Sequence, residues 1–225
     1  MNPKERAAQA ALRYLSSNSV VGLGTGSTAD YFLIALADML KSGRLTGIRG
    51  LPTSKQSEMR ANELGIPVAT FADVRTADIT VDGADEVAPG LNLIKGLGGA
   101  LLREKIVAQN SRELIIIADA SKEVDVLGTK AALPVEVAHF GHETQQDFLR
   151  SLACEPKLRR SSDGNVFTTD GGNVIYDCRF ARIEDAMGLE DRLKKRAGII
   201  ESGLFIGLAK IALIAGDHEV RIRTS

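Results

Sequence analysis

Val20-Val21-Gly22-Leu23-Gly24-Thr25-Gly26-Ser27-Thr28 decides the fold class of this chain. The first four residues are a short apolar run and read as a buried strand ending in glycines. From residue 27 to 40, apolar residues recur at Phe32, Leu33, Leu36, Met39 and Leu40, the period of an amphipathic helix. The same alternation extends outward in both directions. Residues 3–15 are expected to form a helix. Strands are expected at 48–51, 68–71, 79–81 and 114–118, and helices at 55–64 (closed by Gly65) and 99–109. Apolar strands alternating with helices predict an α/β fold, a parallel sheet with helices on both faces.

After Gly128 the pattern changes. Strands are expected at 133–138, 157–160 and 174–178, with the turn-rich runs Ser161-Ser162-Asp163-Gly164-Asn165 and Asp170-Gly171-Gly172-Asn173 between the last two. Helices at 143–152 and 183–194 and a short strand at 199–201 complete a small α+β lid. The tail, residues 210–214 and 220–222, is expected to return to the first domain. The division predicted is 1–129 with 206–225 as the catalytic domain and 130–205 as a smaller lid or oligomerisation domain.

The 225 residues are 44% hydrophobic and 25% charged with a formal net charge of -1, the composition of a globular protein without general attraction for nucleic acid or anionic membrane. Attraction for an anionic substrate must therefore be local. Cys154 and Cys178 form no CxxC and read as thiols in a reducing compartment. No apolar h-region comes after the charged start, and no stretch approaches about 18 apolar residues, so neither a signal peptide nor a membrane span is expected. A cytoplasmic protein is the expectation.

Three stretches concentrate chemistry. In Gly24-Thr25-Gly26-Ser27-Thr28, glycines let backbone N–H groups approach an anion, the helix N-terminus adds positive potential, and three hydroxyls add donors. A dinucleotide fingerprint would want Gly or Ala at Ser27 and an acid where Pro52-Thr53-Ser54 stands; a Walker A loop would need a lysine. Tight helix–sheet packing alone would also explain the glycines. Second, Asp82-Gly83-Ala84-Asp85-Glu86 comes directly after an apolar strand, at the end of a parallel sheet where ligands bind. Its carboxylates suit sugar hydroxyls, a solvated acidic turn, or a hard cation. Third, Lys95-Gly96-Leu97-Gly98-Gly99 precedes Arg103-Glu104-Lys105. Lys95 suits a developing oxyanion and Glu104 a positioned base, against the plainer reading of a helical Glu–Lys surface pair.

Taken together with Ala118-Asp119-Ala120-Ser121-Lys122 and Leu133-Pro134-Val135-Glu136-Val137, these stretches resemble the ribose-5-phosphate isomerase A family, in matching order from about residue 12 to about residue 205. Leu97 stands where the family commonly has another glycine, and Ser57 where threonine is frequent. The resemblance implies a Rossmann-like domain with a ferredoxin-like lid, and an aldose–ketose isomerase needing no cofactor or metal. It makes Glu104 the proton-transferring base, Lys95 the oxyanion donor, and Asp82 and Asp85 partners in catalysis. Substrate binding falls to Thr25, Gly26, Ser27, Thr28, Gly83, Ala84, Gly96, Leu97, Gly98 and Lys122. A small sugar phosphate is the implied partner, and a homodimer the implied assembly. The alternatives are another sugar-phosphate enzyme of the same fold, such as a 6-phosphogluconolactonase-like or amino-sugar isomerase protein, and a sugar-phosphate-sensing module. His139, His142 and His218 are expected to be surface or structural. The basic runs 157–160 and 194–196 are expected to be solvated faces.

Overall fold

The computed structural model describes residues 2–225. Two compact units are present. One comprises Met1–Ala84, Arg103–Glu123 and Gly207–Ser225; the other comprises Asp85–Leu102 and Val124–Ile206. This differs from the expected division in taking residues 85–102, 124–129 and 206 into the second unit.

In the first unit, β1 (Val20–Leu23), β2 (Arg49–Pro52), β3 (Ile79–Asp82), β6 (Leu114–Asp119), β12 (Ile211–Ala215) and β13 (Val220–Thr224) form one sheet in the order β13-β12-β6-β3-β1-β2. Every neighbouring pair is parallel except β12–β13, an antiparallel hairpin at one edge. Side chains alternate across the strands. Val21, Leu23, Ile79, Val81, Ile115, Ile117 and Leu213 pack with α1 (Pro3–Ala11) through Ala7, Ala8 and Ala11, and with α2 (Ser27–Lys41) through Phe32, Leu33 and Leu36. Val20 and Leu51 belong to a second cluster with Val107 of α4 (Leu101–Gln109). Helices therefore cover both faces.

The expected strand at 68–71 reduces to a single bridge, Val68 to Gly50. Pro67 has no N–H to extend the ladder, and the chain turns at once, with the Thr70 N–H and hydroxyl both donating to Asp73. Helix α3 (Lys55–Leu64) begins in a capping box, in which Ser54 Oγ accepts the Ser57 N–H at 2.9 Å and Ser57 Oγ accepts the Ser54 N–H at 3.0 Å. Its C-cap is Gly65, with φ +76°.

In the second unit, β7 (Leu133–Val137), β8 (Glu155–Leu158), β9 (Val174–Arg179) and β10 (Ile199–Ser202) form an antiparallel sheet ordered β10-β7-β9-β8. Helices α5 (Gln145–Arg150) and α6 (Ala186–Lys194) join its core through Leu149, Leu189 and Leu193. A second small sheet was not foreseen: β4 (Glu86–Val87), β5 (Leu93–Ile94) and β11 (Leu204–Phe205) pair antiparallel. Strands of two residues show no periodicity, and β11 completes a sheet whose other members lie over a hundred residues earlier.

Candidate active site

The ordering β6-β3-β1-β2 of parallel strands puts four sequence segments on one edge of the first unit's sheet. These are Asp119–Lys122, Asp82–Ala84, Gly24–Thr28 and Pro52–Ser54, each at a strand's carboxyl end, where open α/β sheets bind ligands. The Gly24 N–H donates to the Val81 carbonyl at 3.0 Å, tying the first loop to β3. Asp82, 1% exposed, braces that loop from the side: its Oδ1 accepts the Thr25 N–H at 3.0 Å and the Gly83 N–H at 2.7 Å.

Thr25 does not offer its hydroxyl outward. Its Oγ1 lies 2.8 Å from Ser54 Oγ and 2.7 Å from Thr53 Oγ1, with its one proton directed between these two oxygens, while Thr53 Oγ1 donates to the Leu23 carbonyl. The 52–54 segment, which in the sequence argues against a dinucleotide, is thus the back wall of the loop. Gly26 (φ +103°) and Ser27 are exposed and begin α2, whose N-terminus receives no side-chain cap. A helix N-terminus without a cap has N–H donors for an anion. Lys4 reaches the same place, its Nζ donating to Ser27 Oγ at 2.9 Å. Sequence reasoning missed Lys4, because only the packing of α1 on α2 brings residues 4 and 27 together. Lys122 lies just past β6 in a short 3-10 turn that Asp119 caps by accepting the Ser121 N–H at 3.0 Å. Glu104 lies in the first turn of α4 and is 5% exposed; the reading of a helical surface pair does not hold for it.

In the second unit, the Asp85 N–H donates to the Ile94 carbonyl, and Asp85 Oδ2 accepts the Leu97 N–H at 2.9 Å. The acidic turn therefore holds the loop just beyond Lys95. Lys95 itself is 2% exposed, donates its N–H to the Gly203 carbonyl at 2.9 Å and places Nζ 5.4 Å from the Phe205 ring centroid. Gly96 (φ +100°) and Gly99 (φ +84°) need the freedom of glycine. Leu97 has no positive φ and is 44% exposed, so the backbone makes no demand for glycine there.

The acidic cluster does not form a cation cage. Glu86 accepts three backbone N–H groups, from Gly128, Lys130 and Ala131, each at 2.6 Å, so it organises the chain rather than a ligand. Among the described residues no three His, Cys, Asp or Glu side chains gather to hold a metal. His142 Nδ1 hydrogen-bonds the Tyr176 hydroxyl at 3.1 Å, a packing contact of the second unit. Within the basic run 157–160, Lys157 and Arg160 are exposed as expected, but Arg159 is not: its side chain is 11% exposed and paired with Asp177.

Comparison with known proteins converges on one family. A family model described as ribose 5-phosphate isomerase A (phosphoriboisomerase A) matches residues 49–219. A ribose-5-phosphate isomerase A of Desulfatibacillum aliphaticivorans is 47% identical over 218 residues, covering 97% of this chain and 95% of that protein. One from Synechococcus sp. (strain JA-3-3Ab) is 49% identical, covering 96% and 94%. Among solved structures, ribose 5-phosphate isomerase from Plasmodium falciparum superposes with a TM-score of 0.95 at 39% identity, covering 100% of this chain and 99% of that one. A D-ribose-5-phosphate isomerase in complex with phospho-erythronic acid gives 0.96 at 38% identity, covering both chains fully. Matched by the family model over residues 49–219 and by these relatives over nearly its whole length, the chain belongs to the ribose 5-phosphate isomerase A family.

Proposed function

We propose that Glu104 moves the proton and Lys95 holds the oxyanion in the interconversion of ribose 5-phosphate and ribulose 5-phosphate. The chain is an aldose–ketose isomerase by its family. The observation that carries the residue assignment is burial: Lys95 and Glu104 are 2% and 5% exposed. Ionisable groups are kept out of water at a cost, and chemistry is a frequent reason.

In the open-chain aldose, the Glu104 carboxylate takes the proton from C2. The C2–H electron pair forms the C1–C2 double bond, and the carbonyl pair moves onto O1. The Lys95 ammonium stabilises that oxyanion in a site with little water, where a fixed charge has most effect. Glu104 then returns its proton to C1 as the C2 carbonyl forms, and the hydroxyl proton passes from O2 to O1. One carboxylate serves both carbons. Asp82 and Asp85 orient hydroxyls, and Asp82 assists opening of the furanose ring. Gly83 and Ala84, Gly96, Leu97 and Gly98 line the sugar with backbone groups. The phosphate is met by the α2 N-terminus at Gly26, Ser27 and Thr28, with Lys4 and Lys122 as cations. Thr25 contributes by shape, its hydroxyl being engaged with Thr53 and Ser54. The protein works in the cytoplasm, a compartment that suits its two free thiols, as a homodimer in which the second unit serves as lid or subunit contact, as the family resemblance implies.

Glu104→Gln tests the assignment. It is expected to bind ribose 5-phosphate normally and to lose turnover by about 10²- to 10⁴-fold, together with exchange of the C2 hydrogen with solvent. Turnover near the wild-type rate would remove Glu104 from the mechanism.

A further inference from the structure

The loop after Lys95 is rich in glycine, and nothing in its own sequence fixes its shape. We propose that Arg159 is a positioning residue for Lys95, acting by clamping the carbonyls of the next two residues, Gly96 and Leu97. The inference rests on the assignment of Lys95 as oxyanion donor.

The guanidinium Nη1 donates to the carbonyl oxygens of both Gly96 and Leu97, at 3.1 Å each. Its other edge is fixed: Nε donates to Asp177 Oδ2 at 2.9 Å, and Nη2 pairs with Asp177 Oδ1. The guanidinium carbon lies over Phe167, 5.7 Å from the ring centroid. Phe167 in turn covers Gly99, where an added Cβ would run into the ring. On the opposite side, the Leu97 N–H is taken by Asp85 and the Lys95 N–H by the Gly203 carbonyl. The loop is therefore gripped at a carbonyl edge, an N–H edge and its far end.

The grip comes from a rigid element. The Arg159 N–H donates to the Ile175 carbonyl at 2.8 Å, continuing the β8–β9 ladder by one residue, and Asp177 lies on β9 two residues away. A guanidinium suits this task because its fork presents several donors in one plane, two for the carboxylate and one edge for the carbonyls. Its neighbours Lys157 and Arg160 are exposed, so the charge of the run is not what keeps Arg159 inward. A catalytic ammonium gains from being held within a fraction of an ångström of its working position. Two glycines at positive φ beside it would otherwise let the loop wander.

The test is a double-mutant cycle with Lys95→Ala, read as steady-state kcat and KM for ribose 5-phosphate. Arg159→Met is expected to lower kcat by about 10- to 100-fold while KM stays within about threefold. In the Lys95→Ala background the same change should move kcat by less than about twofold, because the residue it positions is gone. Arg159→Lys, which keeps the charge and loses the fork, should recover only part of kcat. Asp177→Asn leaves Arg159 in place and loosens it. It should shift kcat in the same direction and is the variant to read if Arg159→Met does not fold. Equal losses in both backgrounds, or no loss of kcat in either variant, would overturn the inference while leaving Lys95 in its role. If Lys95→Ala alone keeps the wild-type rate, the oxyanion assignment fails and the clamp falls with it.

Discussion

Gly24 shows how closely the first loop lies on the sheet. A Cβ at this position would collide with the Asp82 carboxylate and with the Val81 carbonyl. Gly24→Ala is therefore expected to push Asp82 away from the Thr25 N–H. The cost should be about 1–3 kcal/mol, as for other overpacked sites, or roughly 2–4 °C in Tm per kcal/mol. A calorimetric scan showing an unchanged Tm would contradict this account of the loop. At the same scale, the sequence made the residue types legible but not their partners. Thr25 was readable as a hydroxyl donor, yet it faces Thr53 and Ser54 because the two βα turns sit side by side. Arg159 looked like one cation in a solvated run, since its partners at Gly96 and Leu97 stand more than sixty positions earlier.

Among elements, the parallel strands and their helices were the readable part. Buried strands such as β6, with Leu114, Ile115, Ile116 and Ile117 all apolar, are constrained on both faces, so their identity is written in consecutive residues. The helix over 143–152 was harder: the chain spends its first turn in a 3-10 segment, His142–Thr144, before α5 begins. Least legible was the role of Glu86. Its side chain gathers the N–H groups of Gly128, Lys130 and Ala131, so a residue read as a possible cation ligand instead fixes the path of the chain into β7. Glu86→Gln replaces one acceptor oxygen by an N–H₂ facing donors. It is expected to lower unfolding free energy by about 1–3 kcal/mol, measured by urea denaturation. A variant as stable as wild type would mean these contacts carry no net stabilisation.

Over the molecule as a whole, the chain leaves the first unit at Ala84, returns at Arg103, leaves again at Glu123 and returns at Gly207. Local patterns could not show that residues 85–102 belong with the second unit, because that membership depends on β11 pairing with β5. The return of the tail was readable from the apolar run that became β12. Its hairpin partner, β13, alternates Val220, Ile222 and Thr224 with Arg221 and Arg223, and both arginines pair with Glu123. The opposite edge strand, β2, bonds the 67–69 segment through Gly50 and ends in Pro52.

The hairpin at the tail has a consequence for solubility. β13 stands between solvent and β12, whose Ala212, Leu213, Ile214 and Ala215 are fully buried. Charged edge strands discourage foreign strands from docking, whereas bare apolar ones recruit them. A chain cut before Val220 would expose β12 as such a template, and it is expected to pass from clear solution to turbid, sedimenting material on mild warming. Light scattering that stays flat for the shortened chain would show that the strand at the rim does not guard the sheet against self-adhesion.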